Sequence, residues 1–529
     1  MTRPSNKHRG SKRKASDGNK QAETKRKAND GNKQAEAKPK AKAPKKVESN
    51  TPQGRLEAIL GMSLGAFQAE YFEKKPLLRK NVSPCAGLFS RQKLLEVLSR
   101  DPLEYGSDLT VTHYKDNQRD NYMPEDPNDT IATSKQVEKL MKQGYSVQFY
   151  QPQRYNDELC AVNASLEQTF GCLAGASAYL TPPNAQALAP HHDDVDVFVF
   201  QTQGSKNWKL YAPLVPLAGE HSGDFTQDMI GEPTMELTLN EGDLLYFPRG
   251  VIHQACTGST FSTHVTISIY HHNSWANFME VALPRIVRRA FEHDIEFRRG
   301  LPANWLSFMG TQFDGETKAA TQFMSKCKNL VSQLLQHVEM TDMQEAADEA
   351  ALDFVQNRLP PWPITEPAPP TISALDPKAK VRLPHKAYMR LVVSEMDGMD
   401  VVTLHHSLHN CRVHHMGVCS CGDEDEDDDA NDENDENDEN DGQDSHDGHD
   451  DNASGSDEDD DMMDEMAPGD MVNTGIAFPI DCFPVLMHLY KTSPGFSTQA
   501  DLAQVADSDA VRGVLLRLMA ENVLDVQRA

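Results

Sequence analysis

The chain of 529 residues has only nine cysteines, no apolar segment at its N-terminus and no apolar run near eighteen residues. A helical membrane span needs about 20 consecutive apolar residues, so none is expected. The missing leader and the sparse cysteines point to a reducing, soluble compartment without disulfides. Residues 1–47 are almost devoid of large apolar side chains and hold sixteen Lys and Arg against four acids. No core can offset their ordering entropy, and residues 1–50 are expected to be a disordered basic tail. Between Asp423 and Asp470 there is no Lys or Arg at all against 26 acids, including three copies of Asn-Asp-Glu over 431–439. Such a block repels itself and stays solvated, so 422–470 reads as a disordered acidic insertion. Removing its 26 charges from the formal net charge of −28 leaves the remainder near neutral. The acidic isoelectric point therefore says little about the folded part.

Within the basic tail a unit of thirteen residues occurs twice, from Ser11 and from Thr24. Two copies suggest tail expansion, because a solenoid needs at least three stacked units. Lys12-Arg13-Lys14 and Lys25-Arg26-Lys27 have the composition of nuclear import signals or of an RNA-binding tail. A group at Cys411, His414, His415, Cys419 and Cys421 invites a zinc reading, but its second Cys-x-Cys lacks the usual two-residue loop. A strand pair formed by Val401–Leu404 and the stretch from Arg412 is the alternative.

What the chain does contain is a run Pro190-His191-His192-Asp193-Asp194, then an apolar alternation from Val195 to Phe200, and sixty residues on His253. Two imidazoles and one carboxylate on one face of a ferrous ion leave positions open for a co-substrate and O2. Strand alternation allows two registers here, His191 with Asp193 or His192 with Asp194. Lys206 shares a face with Trp208 and Leu210, which puts a cation on the apolar side of a strand. Either its stem snorkels to the rim or it meets an anion inside. The segment Thr263–Tyr270 alternates Val265, Ile267 and Ile269 against His264, Thr266, Ser268 and Tyr270, as a strand lining a site would. Met235, Leu237 and Leu239, then the turn 240–243 and Leu244–Phe247, read as a hairpin. Successive strands without helices between them fit a small barrel or jelly roll with a ligand at its mouth.

These motifs, with Tyr179-Leu-Thr-Pro-Pro-Asn, Gly242-Asp-Leu-Leu-Tyr-Phe-Pro-Arg-Gly-Val-Ile-His253 and Glu296-Phe-Arg-Arg-Gly-Leu-Pro, resemble the JmjC oxygenases, and within them the ribosomal oxygenases, described as histidyl hydroxylases and lysine demethylases. The resemblance runs from about residue 55 to the C-terminus, apart from the acidic insertion. It implies a mainly β double-stranded β-helix of the cupin, jelly-roll kind, with iron ligands His191, Asp193 and His253. The first register is preferred because the family sets its first ligand directly after the proline. The resemblance also implies contacts of Lys206, Tyr179 and Ser268 with 2-oxoglutarate, and places Ser177 where the family tends to carry Asn. Fe(II), 2-oxoglutarate and O2 are the implied cofactors. The implied substrates are a histidine of a large-subunit ribosomal protein and methyl-lysines of the histone H3 tail, in the nucleus and nucleolus. A catalytically idle chromatin or ribosome-assembly adaptor is the alternative.

Beyond the barrel, assigned to 51–272, the apolar period changes from two to about 3.6. Ser274 is a candidate cap for a helix with Trp275, Phe278, Met279 and Ala282 on one side. Phe323, Cys327, Leu330, Val331, Leu334 and Val338 form a second stripe. The resemblance implies an α-helical dimerisation domain over 273–361, hence a homodimer or higher homo-oligomer. Over 372–529, Phe483, Val485, Leu486 and Leu489, then Val511, Leu515, Leu518 and Met519, suggest a winged-helix-like α+β domain. The acidic insertion opposes steering toward phosphate, so this end is expected to serve protein contacts or structure, without nucleic acid or membrane.

Overall fold

The computed structural model describes residues 51–528 apart from 84, 86, 117, 127, 270–272, 365–371, 397, 414 and 416–474. The basic tail and the acidic insertion lie outside the described residues, as do His414, Cys419, Cys421 and Tyr270.

One sheet of ten strands carries the N-terminal half. Its members are β1 (Leu77–Arg79), β2 (Leu109–Lys115), β3 (Gln118–Asn121), β4 (Ser146–Tyr150), β5 (Ala174–Thr181), β6 (Asp196–Leu210), β7 (Met235–Asn240), β8 (Leu244–Phe247), β9 (His253–Cys256) and β10 (Ser262–Ile269). All its pairings are antiparallel, in the order β1-β8-β6-β10-β5-β4-β2-β3. The long β6 belongs to both halves of the double-stranded β-helix. Its first part pairs with β8 and β10, and its second part, from Ser205, pairs with β7 and β9.

The corner between those parts is Gly204, at φ +63, where a Cβ would sit 1.9 Å from the carbonyl oxygen of Phe261. Only glycine fits such a close approach with a left-handed backbone. The same corner separates β7 from β8. These strands were expected to pair as a hairpin, but each instead pairs with its own half of β6. The turn between them is held by Gly242 N–H donating to Gln201 O and Glu241 N–H donating to Gly204 O, and the two strands continue on opposite sides of the β6 corner.

Alternation along β5 and β10 divides two apolar layers. Ala174, Ala176, Ala178 and Leu180, with Val265, Ile267 and Ile269, face a large core shared with Phe198 and Phe200. The opposite rows, which carry Tyr179 and His264, face the interior. There a smaller cluster of Val197, Val199, Trp208, Leu210, Leu245 and Phe247 fills the barrel. Helix α1 (Asp157–Phe170), capped by the Asn156 side chain on Leu159 N–H, is buried along most of its length.

The helical module begins with α2 (Trp275–His293), where Ser274 and Asn277 form a reciprocal capping box. Helices α3 (Lys318–Leu334), α4 (Met340–Ala350) and α5 (Leu352–Asn357) follow. The buried side of α2 is Ala282, Ile286 and Ala290. Trp275 and Met279, expected beside Ala282, fall instead on an exposed row. Contact with α4 is reinforced by Arg289 Nε at 2.8 Å from Asp342 Oδ2.

The C-terminal α+β part has two three-stranded sheets, built from β11 (Ala379–Arg382), β12 (Met389–Met396), β13 (Met399–His406), β14 (Gly475–Pro479), β15 (Ser497–Thr498) and β16 (Asp525–Arg528). Their orders are β15-β11-β16 and β12-β13-β14. Helices α6 (Phe483–Thr492) and α7 (Ser508–Ala520) pack on them through Val485, Leu486, Leu489, Leu515 and Leu518. The expected pairing of Val401–Leu404 with the stretch from Arg412 does not occur. Those residues pair with β12 and β14, and Arg412 and Val413 are outside any strand. No described helix is long and apolar enough to cross a membrane.

Candidate metal centre

His191 and His253 lie opposite each other as an isolated antiparallel bridge, exchanging backbone hydrogen bonds of 3.2 and 2.8 Å. A pair in that register directs both side chains to one face, and their ring centroids are 4.4 Å apart. The third group is set by Gly250 N–H, which donates to Asp193 O at 2.9 Å. Asp193 Oδ1 is then 3.6 Å from His191 Nε2, and its Oδ2 is 3.7 Å from His253 Nε2. Among the described residues this is the one cluster of His, Cys, Asp or Glu able to hold a metal ion, its donor atoms lying within 4.8 Å of one another.

The tautomers suit that use. His191 Nδ1 faces Ala189 O at 2.8 Å and His253 Nδ1 faces Val251 O at 3.1 Å. A carbonyl only accepts, so both protons sit on Nδ1 and both Nε2 lone pairs are free for a metal. Burial, then the neighbouring His191, pushes His253 down to about 4, which keeps this ligand neutral near pH 7. Three donors at one face with an open side are the ligand set of a non-haem ferrous centre. The residues therefore fit the ion that the sequence implied.

Beside them is a cavity of about 500 Å³, including its open mouth, with Tyr179, Lys206, Trp208, Phe247, His264 and Thr266 among its walls. Lys206 is 3 % exposed. Its Nζ donates to Thr181 Oγ1 at 3.2 Å and lies 5.9 and 6.0 Å from the ring centres of Tyr179 and Trp208. Among the described residues no carboxylate pairs with it. Burial pushes the amine down to about 7. A buried amine with no counter-ion, in the same cavity as three metal donors, fits a ligand that chelates the metal at one end and carries an anion at the other. His264 is held well below the ordinary histidine range, by burial first and then by the nearby Lys206.

Of the residues singled out from sequence, His191, Asp193, His253, Lys206 and Tyr179 come together around this cavity. Ser177 and Ser268 are half-buried on the inward rows of β5 and β10 but are outside its lining. On β10 it is His264 and Thr266 that form the wall. Strand alternation placed these two inward without giving them a role, and the same holds for Trp208. The second register is not assembled: His192 is buried against Phe225, its backbone tied on both sides to Ser222.

The zinc reading gains nothing from the described members of its group. Cys411 Sγ accepts from Val413 N–H. His415 spends both ring nitrogens on protein partners, Nε2 at 2.6 Å from Glu167 Oε1 and Nδ1 at 3.0 Å from Gln153 Nε2.

Comparison with known proteins adds the following. Residues 148–278 match the family model of the JmjC domain. The bifunctional lysine-specific demethylase and histidyl-hydroxylase NO66 of Aedes aegypti is 40% identical over 302 residues, covering 56% of this chain and 46% of that protein. Ribosomal oxygenase 1 of Danio rerio is 36% identical over 372 residues, 66% of each chain. The chain thus spans about half the length of the mosquito protein and about two thirds of the fish one. Among solved structures, the ribosomal oxygenase YcfD from Escherichia coli in complex with cobalt and 2-oxoglutarate aligns at 14% identity and a TM-score of 0.35. The alignment covers 65% of this chain and 83% of that one.

Proposed function

The chain belongs to the JmjC-domain ribosomal oxygenase family, and from that membership we propose that it is an Fe(II)- and 2-oxoglutarate-dependent protein oxygenase. The observation that carries the reading is the placement of an open face of three metal donors and one buried, uncompensated amine in a single cavity. Ferrous iron with the keto acid and O2, when bound, supplies an oxidant that can take a hydrogen atom from a C–H bond.

The chain's own residues do the positioning. His191, Asp193 and His253 hold one face of the ion, and their Nδ1–H bonds to Ala189 O and Val251 O keep both imidazoles oriented. Lys206 receives the far carboxylate of the co-substrate, with Tyr179 packed beside it. Ser177 and Ser268 lie outside that lining. Trp208 and Phe247, both buried and packed beside the His253 ring, would shield that side of the donor set from solvent. The substrate enters through the open mouth, so the selectivity of the reaction rests on which carbon is presented there.

A histidine of a large-subunit ribosomal protein is the first substrate and a methyl-lysine of histone H3 the second. Both activities stand in the name of the mosquito relative. Incubation of the protein with ferrous iron, 2-oxoglutarate and basic peptides of each class tests this by succinate release and mass spectrometry. A gained oxygen on a histidine supports the first substrate, and lost methyl groups with formaldehyde support the second. Metal binding without turnover of any peptide favours the idle adaptor.

The protein acts as a homodimer through its helical module, a reading supported by the exposed row Trp275, Met279, Leu283, Val287 and Phe291 along α2. It works in the nucleus and nucleolus, on chromatin and ribosome assembly. The support for that address is the pair of basic clusters in the tail, Lys12-Arg13-Lys14 and Lys25-Arg26-Lys27.

A further inference from the structure

Two of the three metal donors depend on one short loop. Residues 248–252 join β8 to β9, and their backbone serves both ligands: Gly250 N–H donates to Asp193 O, and Val251 O faces His253 Nδ1 at 3.1 Å. Asp193 needs such support, because it lies between the His191 bridge and the start of β6 at Asp196, in no strand of its own. Gly250 is fixed in place, since its φ is +81 and a Cβ there would meet Val215 O at 2.4 Å. The single charged side chain of the loop is Arg249. Its Nη1 donates to Asp196 Oδ2 at 3.0 Å and to Glu73 Oε1 at 2.6 Å. The other oxygen of Asp196 accepts from the Tyr246 hydroxyl at 2.6 Å, and that hydroxyl accepts from Glu73 N–H at 2.9 Å. The Arg249 and Asp196 side chains are only 13 % and 5 % exposed, so their charge-assisted bond is little weakened by water.

We propose that Arg249 is a positioning residue for the metal centre, holding Asp193 and His253 in register through its bridge to Asp196. The spacing carries the argument. Gly250 and Asp193 form one tie between the two ligand-bearing segments. Arg249, next to Gly250, and Asp196, three positions after Asp193, form a second. Two ties at different points fix rotation as well as distance, whereas the backbone bond alone would let the Asp193 turn pivot about it, and a metal site tolerates little such play. Glu73, from the segment after the helix Leu64–Glu70, grips the same guanidinium nitrogen, so Arg249 is itself held. Neither Arg249 nor its two carboxylates belongs to the donor set; they act through the segments that carry it. The inference rests on the reading of His191, Asp193 and His253 as a metal centre.

The test titrates the full chain with Mn(II), whose paramagnetic resonance spectrum in the bound state reports ligand geometry. Arg249→Met keeps an apolar stem and removes the guanidinium. It is expected to bind Mn(II) about tenfold more weakly or worse, the range for partners that stand behind a metal ligand, and with a changed spectrum. Arg249→Lys should recover part of both, because one nitrogen, Nη1, meets both carboxylates and an ammonium can stand in for it. Glu167→Ala, which removes a buried carboxylate of α1 paired with His415, is expected to lose stability yet bind Mn(II) as the wild type does. That control separates positioning from a general loosening of the fold. Wild-type affinity and spectrum in Arg249→Met overturn the inference and leave the oxygenase reading intact, as does an equal loss in Glu167→Ala. Where Arg249→Met does not fold, Arg249→Lys and Glu73→Gln decide: weaker binding supports the inference, and wild-type binding in both overturns it. A wild-type chain that takes up no Mn(II) overturns the metal-centre reading and this inference together.

Discussion

Glu167 and His415, separated by 248 positions in the chain, meet with Oε1 and Nε2 2.6 Å apart and with no solvent on either side chain. Gln153 Nε2 can only donate, so His415 Nδ1 is an acceptor and its proton sits on Nε2, pointing at the carboxylate. Glu167 is further satisfied by Leu359 N–H at 2.9 Å and Ala174 N–H at 3.4 Å. One carboxylate thus ties together α1, the start of β5, the end of the helical module and the segment that precedes the acidic insertion. Glu167→Ala leaves three buried donors unpaired and is expected to cost roughly 3 to 5 kcal/mol. His415→Ala should cost less, and the double variant less than the sum. Thermal or urea unfolding of the three variants measures this, and strict additivity would contradict the pairing.

Removal of any one of His191, Asp193 and His253 takes away a third of the protein's hold on the ion. His191→Ala and Asp193→Ala are expected to lower Mn(II) or Fe(II) affinity by at least about 100-fold, more than the loss of an outer partner of a ligand would. His192→Ala, whose ring packs on Phe225, should leave metal affinity unchanged. Metal titration of the three variants decides between the two registers that the sequence allows.

Lys206 gives a dependence on pH whose sign follows from its burial. In the free protein its amine sits at about 7, below the ordinary lysine value of 10.5. The unfolded chain therefore binds more protons than the folded one between pH 7 and 10.5, and stability rises with pH across that window. Co-substrate binding runs the other way. Below pH 7 the ammonium is already present, whereas above it a proton must be taken up, so affinity for 2-oxoglutarate should fall by up to about tenfold per pH unit. Lys206→Met is expected to abolish this slope and the co-substrate binding with it. The same variant should unfold at a higher temperature than the ligand-free wild type, since it removes a buried amine that has no counter-ion.

The site was more legible in the sequence than the path of the strands. Pro190-His191-His192-Asp193-Asp194 and His253 point to a metal chemistry but leave two registers open, between which the family resemblance chooses, and alternation assigns Lys206, His264 and Thr266 to the interior. Alternation does not report which strand is the neighbour. Met235–Asn240 and Leu244–Phe247 look like a hairpin because a tight turn joins them, yet both pair with β6 on either side of its corner. On α2 the 3.6 period puts Trp275, Met279 and Ala282 on one side, and only the tertiary contacts reveal that Ala282 is covered while Trp275 and Met279 are exposed.

That corner is itself testable at Gly204. Its left-handed φ and the 1.9 Å approach of Phe261 O to a would-be Cβ leave no room for a side chain, and the obstacle is backbone. Gly204→Ala must shift β10 against β6, where the register already changes between Thr263 and His264. A loss of about 1 to 3 kcal/mol or more is expected, together with weaker co-substrate binding, because the part of the cavity wall that β10 supplies moves with the strand. Wild-type binding in a destabilised Gly204→Ala protein would show that the corner serves stability alone.

The exposed row on α2 makes the last prediction. Trp275 is 82 % exposed and Phe291 54 %, with Met279, Leu283 and Val287 between them at four-residue spacing. On α3 and the turn after it, Val331 and Leu335 are 65 % and 77 % exposed. Contiguous apolar patches beyond a few hundred Å² are uncommon on monomers and mark interfaces. On one flank Arg285 is paired with Glu345 and Glu349 and Arg289 with Asp342, while Glu280, Arg288 and Glu292 border the other. Leu283→Asp with Phe291→Asp places two charges in that row without touching Ala282, Ile286 or Ala290 beneath it. Sedimentation velocity is expected to show a dimer for the wild type and a monomer for the variant, with the metal affinity of both alike. A wild-type monomer at micromolar concentration would assign the row to a different partner.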